Sequence, residues 1–531
     1  MGELVTIIDP DTTAATVTGA PATRATRRDP LSRLPSSVRF AVYGSLLVLV
    51  LTTAEQLTDQ SRLTSTNTWS SALQLTMPIA LAGLGGLWAE RAGVVNIGLE
   101  GMMILGTWVG AWGCIEFGPW AGVALGVLGG ALGGLLHAIA TVGFGVDHIV
   151  SGVAINILGA GATQFLNLEA FDSTNQSPTI PSNVGRIRIP GLNDLVGGVT
   201  GNLTDSSVLV WLAVTVGLLV VVVLRFHPAV QAEGDTAPTA EATEADPSDA
   251  DTDTATGRPG RPSRPSRGGL PPVVASAARP LLLWALGIVV GLCLIELAPY
   301  LDEQERFLIS ELGRIIEGLT DDLSLVVVLG VLAFPVSAFV LWRTKFGLRL
   351  RSVGEDPVAA ETLGVNVYLM KCVAVITSGA MAGLGGVTLV YVFAQKFQTG
   401  QTNGRGYIGL AAMIFGNWRP GGLALGAGLF GFTDALSLQS GETTRALLVV
   451  VALGSILMVA RALVTGRWKP AAVAVVAGVA SYGWFRAVDE LPGEIVVFLP
   501  HLTTLLVLTF ASQRLRPPAA DGQRYRRGES G

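Results

Sequence analysis

Charge is scarce in this chain: Lys, Arg, Asp and Glu together make up 14% of its 531 residues. A soluble protein of that length carries about 25%, so the deficit excludes an ordinary soluble protein and leaves most side chains facing lipid or one another. A β-barrel is excluded as well, because its strands alternate apolar and polar residues over about ten positions. Here half the residues are apolar, and runs such as Val208 to Leu224 reach the roughly 17–20 residues that a helix needs to cross a bilayer. The expected fold class is all-α, a polytopic transmembrane helical bundle.

Other scarcities narrow the function. There are three cysteines, Cys114, Cys293 and Cys372, each in an apolar run and none paired at ligand spacing. They read as small hydrophobes rather than a metal or redox site. His137, His148, His227 and His501 are isolated in sequence and read as packing or interfacial residues. No GxxxxGK[ST] loop occurs, so the chain is not expected to hydrolyse ATP itself. These absences predict no enzyme, no cofactor and no metal. The net charge of −5 comes mainly from two acidic stretches and supports no nucleic-acid partner. The first apolar run has no cleavage site after it and reads as a span, not a leader.

What is present is a succession of apolar runs at about 40–54, 72–89, 100–117, 120–142, 148–168, 207–225, 281–299, 324–342 and 371–393. A short run to Asn417 follows, then 421–436, 446–463, 470–486 and 495–512. Basic residues stay on the cytoplasmic side, so Arg24, Arg27, Arg28, Arg33 and Arg39 predict a cytoplasmic N-terminus in a bacterial inner membrane. By the same parity 302–322 lies outside, and the 343–371 connection and the C-terminal tail lie inside. That parity requires Ile408–Asn417 to cross separately as a half-helix completed by extended chain, a break tolerated only where it lines a cavity. The alternative is one continuous span kinked at Pro420. The chain thus divides into a disordered N-terminal tail (1–38), a first helical block (39–225) and a disordered cytoplasmic linker (226–280), whose Ala, Thr, Asp, Glu and Pro leave little to bury. A second helical block (281–513) with its long cytoplasmic connection (343–371) and a C-terminal tail (514–531) complete it. An internal likeness joins IGLEGMMILGTW (97–108) to IGLAAMIFGNW (408–418) with one gap.

Two blocks carry the chemistry. In GVVNIGLEG (93–101), Asn96 and Glu100 sit among glycines at a helix start, which suits either a chain break facing a cavity or an interfacial turn with Glu100 at a helix N-terminus. Asn156 and Asn417 join them as candidate pathway residues. In the 343–371 connection, Asp356 suits an N-cap, Pro357 the first helical position and Gly364 the C-terminal closure, predicting a helix of about two turns. Ala359 and Ala360 would give it a small face for a partner's groove, although a plain amphipathic surface helix has the same signature.

Together, GVVNIGLEGMMILG, FGLRLRSVGEDPVAAETLGVNV with SGAMAGLGGV, and GYIGLAAMIFGNWRPGG resemble the permeases of the branched-chain amino acid, simple sugar and nucleoside ATP-binding-cassette importers. With the C-terminal LPHLTTLLVLTFASQRLRPPAA, the nucleoside type is the nearest match. The resemblance covers about 70–170 and 320–520, while 167–322 is longer than the family pattern. It implies that Gly354, Glu355, Asp356, Pro357, Ala359, Ala360 and Gly364 belong to the coupling helix that receives the ATPase stroke. It also implies a cytoplasmic ATPase, a second permease subunit, an extracytoplasmic binding lipoprotein and a small polar solute, a nucleoside before a simple sugar. An ion-coupled secondary transporter would need several intramembrane carboxylates, for which Glu100, Glu296 and Asp434 are the near candidates. A membrane-embedded enzyme lacks an acid/base or metal constellation.

Overall fold

The computed structural model describes residues 36–58, 62–187, 314–320, 322–438, 441–464, 468–488 and 515–526. The expected spans at 207–225, 281–299 and 495–512 and the linker 226–280 lie outside the described residues. In chain order the helices are α1 (Ser36–Thr58), α2 (Thr66–Arg91), α3 (Leu99–Phe117), α4 (Pro119–Ala138, extended by a π turn Ile139–Gly143) and α5 (His148–Phe171). After a two-residue antiparallel ribbon, β1 (Arg186–Ile187) on β2 (Leu323–Ser324), come α6 (Leu325–Arg343), α7 (Lys345–Glu355), α8 (Pro357–Thr362) and α9 (Val367–Thr388, extended by a π turn Leu389–Ala394). The series ends with α10 (Arg405–Phe415), α11 (Pro420–Ser437), α12 (Gly441–Val464) and α13 (Trp468–Ala487). Among the described residues six helices are long and apolar enough to cross a membrane: α2, α4, α5, α6, α9 and most of α12. The chain is a multi-pass helical bundle.

Local chemistry sets the element ends. Asp147 Oδ1 accepts the N–H groups of Ile149 and Val150 at 2.9 and 3.1 Å and starts α5; these donors hold its carboxyl below the usual carboxylate range. Pro119 and Pro420 each occupy the first turn of their helix, where the missing N–H costs nothing. The helices then pack through glycine. Gly126, Gly130 and Gly134 of α4 face Gly379 and Gly383 of α9 so closely that a Cβ on Gly130 would lie 2.3 Å from the Gly379 carbonyl oxygen. With lipid tails as apolar as Leu, such close backbone approach is what holds membrane helices together.

The centre of the bundle is a pair of antiparallel helices, α2 and α9. Gly85 abuts Ser378 while Gly385 abuts Pro78, so each position exchanges with its counterpart. The neighbours follow the same exchange: Gly83 of α2 meets Gly409 of α10, and Gly383 of α9 meets Gly106 of α3. Thus α2–α4 and α9–α11 form two inverted copies, each lending its first helix to the other. The packing makes Gly106 the counterpart of Gly409, whereas the IGLEG/IGLAAM likeness aligns Gly98 with it. The repeat is structural, and the sequence likeness runs about two helical turns out of register with it.

The short run before Pro420 is a separate helix. Asn417 and Trp418 both take φ of +53°, and α11 folds back on α10, with Gly422 against Gly416 and Gly426 against Ala412. This overturns the continuous kinked span. The chain entering α10 is a series of turns over 399–404, not an extended strand.

Candidate translocation site and coupling loop

Two helix starts meet inside the bundle. The chain leaves α2 at Arg91 and doubles back, so that Leu99, the first residue of α3, lies against Gly86, more than a turn short of the end of α2. Asn96 stabilises the return: its Oδ1 accepts the N–H of Gly98 at 3.0 Å, its Nδ2 donates to Ser378 Oγ at 2.8 Å, and it is fully buried. His137 and His148 bracket the same segment, through Val95 O at 3.2 Å and Val95 N–H at 3.3 Å. They are packing residues.

Glu100, in the first turn of α3, turns its carboxylate across to the start of α10. Oε1 accepts the N–H of Gly404 at 2.9 Å and Oε2 that of Gly406 at 2.7 Å. An anion there satisfies two orphan donors and complements the helix dipole. Gly404 has φ +75°, and a Cβ on Gly406 would lie 2.6 Å from Glu100 N, so both positions demand glycine. From α5, Asn156 Oδ1 accepts the N–H of Gly101 at 2.7 Å while Nδ2 donates to Ile97 O at 3.0 Å and Tyr407 Oη at 2.8 Å. Asn96, Glu100 and Asn156 therefore form one junction. Asn417 is elsewhere, past the far end of α10, where its Oδ1 accepts the N–H of Arg516 at 2.8 Å.

Arg405 and Asp434 form an ion pair at 3.1 Å beside this junction, both largely buried. Asp434 is thereby neutralised rather than poised to bind an ion, and Glu100 is occupied by backbone; Glu296 lies outside the described residues. The sequence signal for this arrangement was the GRGY glycines ahead of an apolar run, which mark a helix start needing an external cap.

Beside the start of α10 a cavity of about 160 Å³ opens between α3, α5 and the segment 397–402. Its lining includes Thr107, Thr163, Gln164, Phe397, Gln398 and Gln401, and no lining residue is charged. Gln401 Oε1 accepts the N–H of Gln398 at 3.1 Å, but its buried Nε2 has no protein partner. The segment is held down by 175–180: Ser177 N–H donates to Phe397 O at 3.0 Å, and Thr399 N–H to Asn175 O at 2.8 Å. None of Gln164, Gln398 and Gln401 is distinguishable in sequence from a polar loop or helix face.

At the other end of α2, the 343–371 connection folds as α7 and α8 at a corner. Asp356 Oδ1 accepts the N–H of Ala359 at 2.9 Å, Pro357 is the first helical residue, and Gly364 closes the turn at φ +81°. Gly354 is buried so tightly that a Cβ would lie 2.2 Å from Arg91 O. Ala360 also faces inward, 2% exposed, against Val353 and Val367. The small face expected to hold Ala359 and Ala360 together is therefore split between outside and inside. The outward surface is Val358, Ala359, Thr362 and Leu363, with Leu363 84% exposed. The tail 515–526 is docked beneath this loop, with Ala520 N–H donating to Gly354 O at 2.9 Å.

Broken helices meeting at buried polar groups, in a bundle of inverted repeats, define a membrane permease. The family model described as branched-chain amino acid transport system / permease component matches residues 68–226 and 279–464, and the chain belongs to that family. It is 27% identical to the guanosine ABC transporter permease protein NupQ of Bacillus subtilis, over 86% of this chain and 96% of that one. It is 25% identical to the nucleoside ABC transporter permease protein NupC of Lactococcus lactis, over 86% and 95%. The putative glucose ABC transporter permease protein TsgC13 of Haloferax volcanii is 27% identical over 86% and 97%. No solved structure matches. The chain is thus a membrane-spanning translocation component and not an enzyme, and its class works with an ATPase and a substrate-binding protein.

Proposed function

We propose that this permease imports an uncharged, hydrogen-bonding solute, a nucleoside, in a bacterial inner membrane, with both termini and the 343–371 connection cytoplasmic. The observation that carries the reading is the cavity by α10, walled by amides, threonines and a phenylalanine with no charge. An amino acid would need partners for its ammonium and carboxylate. The helix start best suited to a carboxylate is already filled by Glu100. A nucleoside instead offers hydroxyls and ring carbonyls to the amide donors and a ring face to Phe397. The names of the guanosine and nucleoside permeases among its relatives support the same class, and the putative glucose permease leaves a sugar as the second reading.

In this reading the cytoplasmic ATPase grips Val358, Ala359 and Thr362 of α8 with Leu363 just past its end, an extracytoplasmic lipoprotein delivers solute, and a second permease subunit completes the pathway. Uptake of tritiated guanosine, glucose and leucine in a deletion strain carrying this gene tests it. Guanosine uptake that disappears with the Gln401→Ala variant is expected. Uptake of leucine but not guanosine would overturn the assignment, and uptake of glucose alone would select the sugar reading.

A further inference from the structure

We propose that residues 515–526 are a strut that makes the motor-facing loop and the two broken-helix junctions move as one body. A segment without helix or strand is loosely held unless something ties it down, and here the anchors run along the whole segment. Leu515 packs into the cluster of Trp88, Leu341 and Trp418. Arg516 N–H donates to Asn417 in the α10–α11 turn at 2.8 Å. Ala519 N–H donates to Glu355 Oε2 at 3.2 Å and Ala520 N–H to Gly354 O at 2.9 Å, both at the α7–α8 corner. Ala520 O and Gly522 lie against Gly93 and Val95 in the α2–α3 return. Tyr525 places its ring 5.5 Å from that of Tyr368 and hydrogen-bonds Glu361 of α8 through its hydroxyl.

The anchors therefore alternate between the loop that meets the motor and the junctions that hold α3 and α10. This matters because the loop's direct hold on α2 is narrow. It runs along one stripe of α7: Phe346 with its ring 6.4 Å from that of Trp88, Leu350 in the same apolar cluster, and Gly354 seated on Arg91 O with Glu355 4.0 Å from Arg91. A loop held along one line can pivot, and a push on α8 would then be lost as rotation. Anchors at Asn417, Val95 and Glu361 lie off that line and remove the pivot. The push then reaches Asn96 and Trp418, the ends of the two broken helices.

This inference rests on the reading that α8 meets the ATPase, and the two can fail separately. The permease is reconstituted in proteoliposomes with its ATPase, binding protein and partner subunit, and tritiated guanosine moved per ATP hydrolysed is measured together with ATPase co-purification. Truncation after Arg514 should leave co-purification intact while guanosine per ATP falls about fivefold, and Tyr525→Ala should fall part of the way. Should the truncated chain fail to insert, Tyr525→Ala carries the test by the same ratio. An unchanged ratio in a variant that still binds the ATPase overturns the strut, as does a loss of binding and hydrolysis in proportion to transport, which marks a merely structural tail. Full ATPase binding by Leu363→Asp would instead overturn the docking of α8.

Discussion

The carboxylate of Glu100 receives the backbone N–H of Gly406 at 2.7 Å, so the first turn of one broken helix caps the start of the other. One copy of the inverted repeat thereby fixes the start of the other's broken helix. Replacing Glu100 with Gln keeps one acceptor but leaves one N–H unpaired and removes the charge, at a cost of about 1.5–3 kcal/mol locally. Guanosine uptake should fall while the protein stays in the membrane at normal level, and Glu100→Leu should be worse. Normal transport by Glu100→Leu would remove Glu100 from the mechanism.

The α8 surface predicts two defects of different kind. Leu363→Asp leaves the loop folded, because Leu363 touches solvent, and should abolish co-purification with the ATPase. Ala360→Arg instead forces a long cation into the cluster of Val353, Val367 and Tyr525 and should lower the melting temperature of the purified permease as well as its ATPase binding. Asp356→Ala removes a cap worth about 1 kcal/mol and should show a mild form of the second defect. Were Ala360→Arg to lose ATPase binding with an unchanged melting temperature, the inward placement of Ala360 would be refuted.

This contrast shows what the sequence could and could not disclose. Caps are local: Asp356, Pro357 and Gly364 announce α8 within nine consecutive positions, and the predicted helix is there. The apolar runs likewise became α1 to α6 and α9 to α13 wherever the chain is described. Facing is not local. A helix of six residues has too few turns for a hydrophobic stripe to be read, and what buries Ala360 includes Tyr525, far away in sequence. The same holds for Glu100, whose partners at Gly404 and Gly406 only the inverted repeat brings near. Asn417 carried a turn signal that reads equally as a pathway signal, since both want a small amide with φ > 0 tolerated.

The glycine stripe on α4 predicts a packing defect without a chemical one. Gly130→Leu must push α4 and α9 apart, because even a Cβ would meet Gly379 O at 2.3 Å, and overpacking of this kind costs about 1–3 kcal/mol or more. Reduced melting temperature and reduced membrane level are expected. Gly161, with open space around it, should accept alanine with neither change. Equal behaviour of the two variants, measured by fluorescence-detected size exclusion, would contradict the close α4–α9 approach.

The docked tail should respond to pH through Asp521. Burial pushes its carboxyl up to about 6, against the opposing pull of Glu90, Lys371 and Arg91, which face it from α2 and α9. Its Oδ1 is buried with no hydrogen-bond partner, so the docked state favours the protonated acid. A carboxyl raised on docking contributes attraction that is fully present below its free value of about 4 and is lost as pH rises through about 6. Tail docking should therefore tighten as pH falls from 7 towards 5 and stay level above 7. A spin label on Gln523→Cys, an exposed tail position, would report this as slower motion at pH 5 than at pH 7.5. Asp521→Asn, neutral throughout, should give slow motion at both. If the label moved more freely at pH 5, Asp521 would be docking as the carboxylate, and Lys371 and Arg91, not burial, would govern the tail.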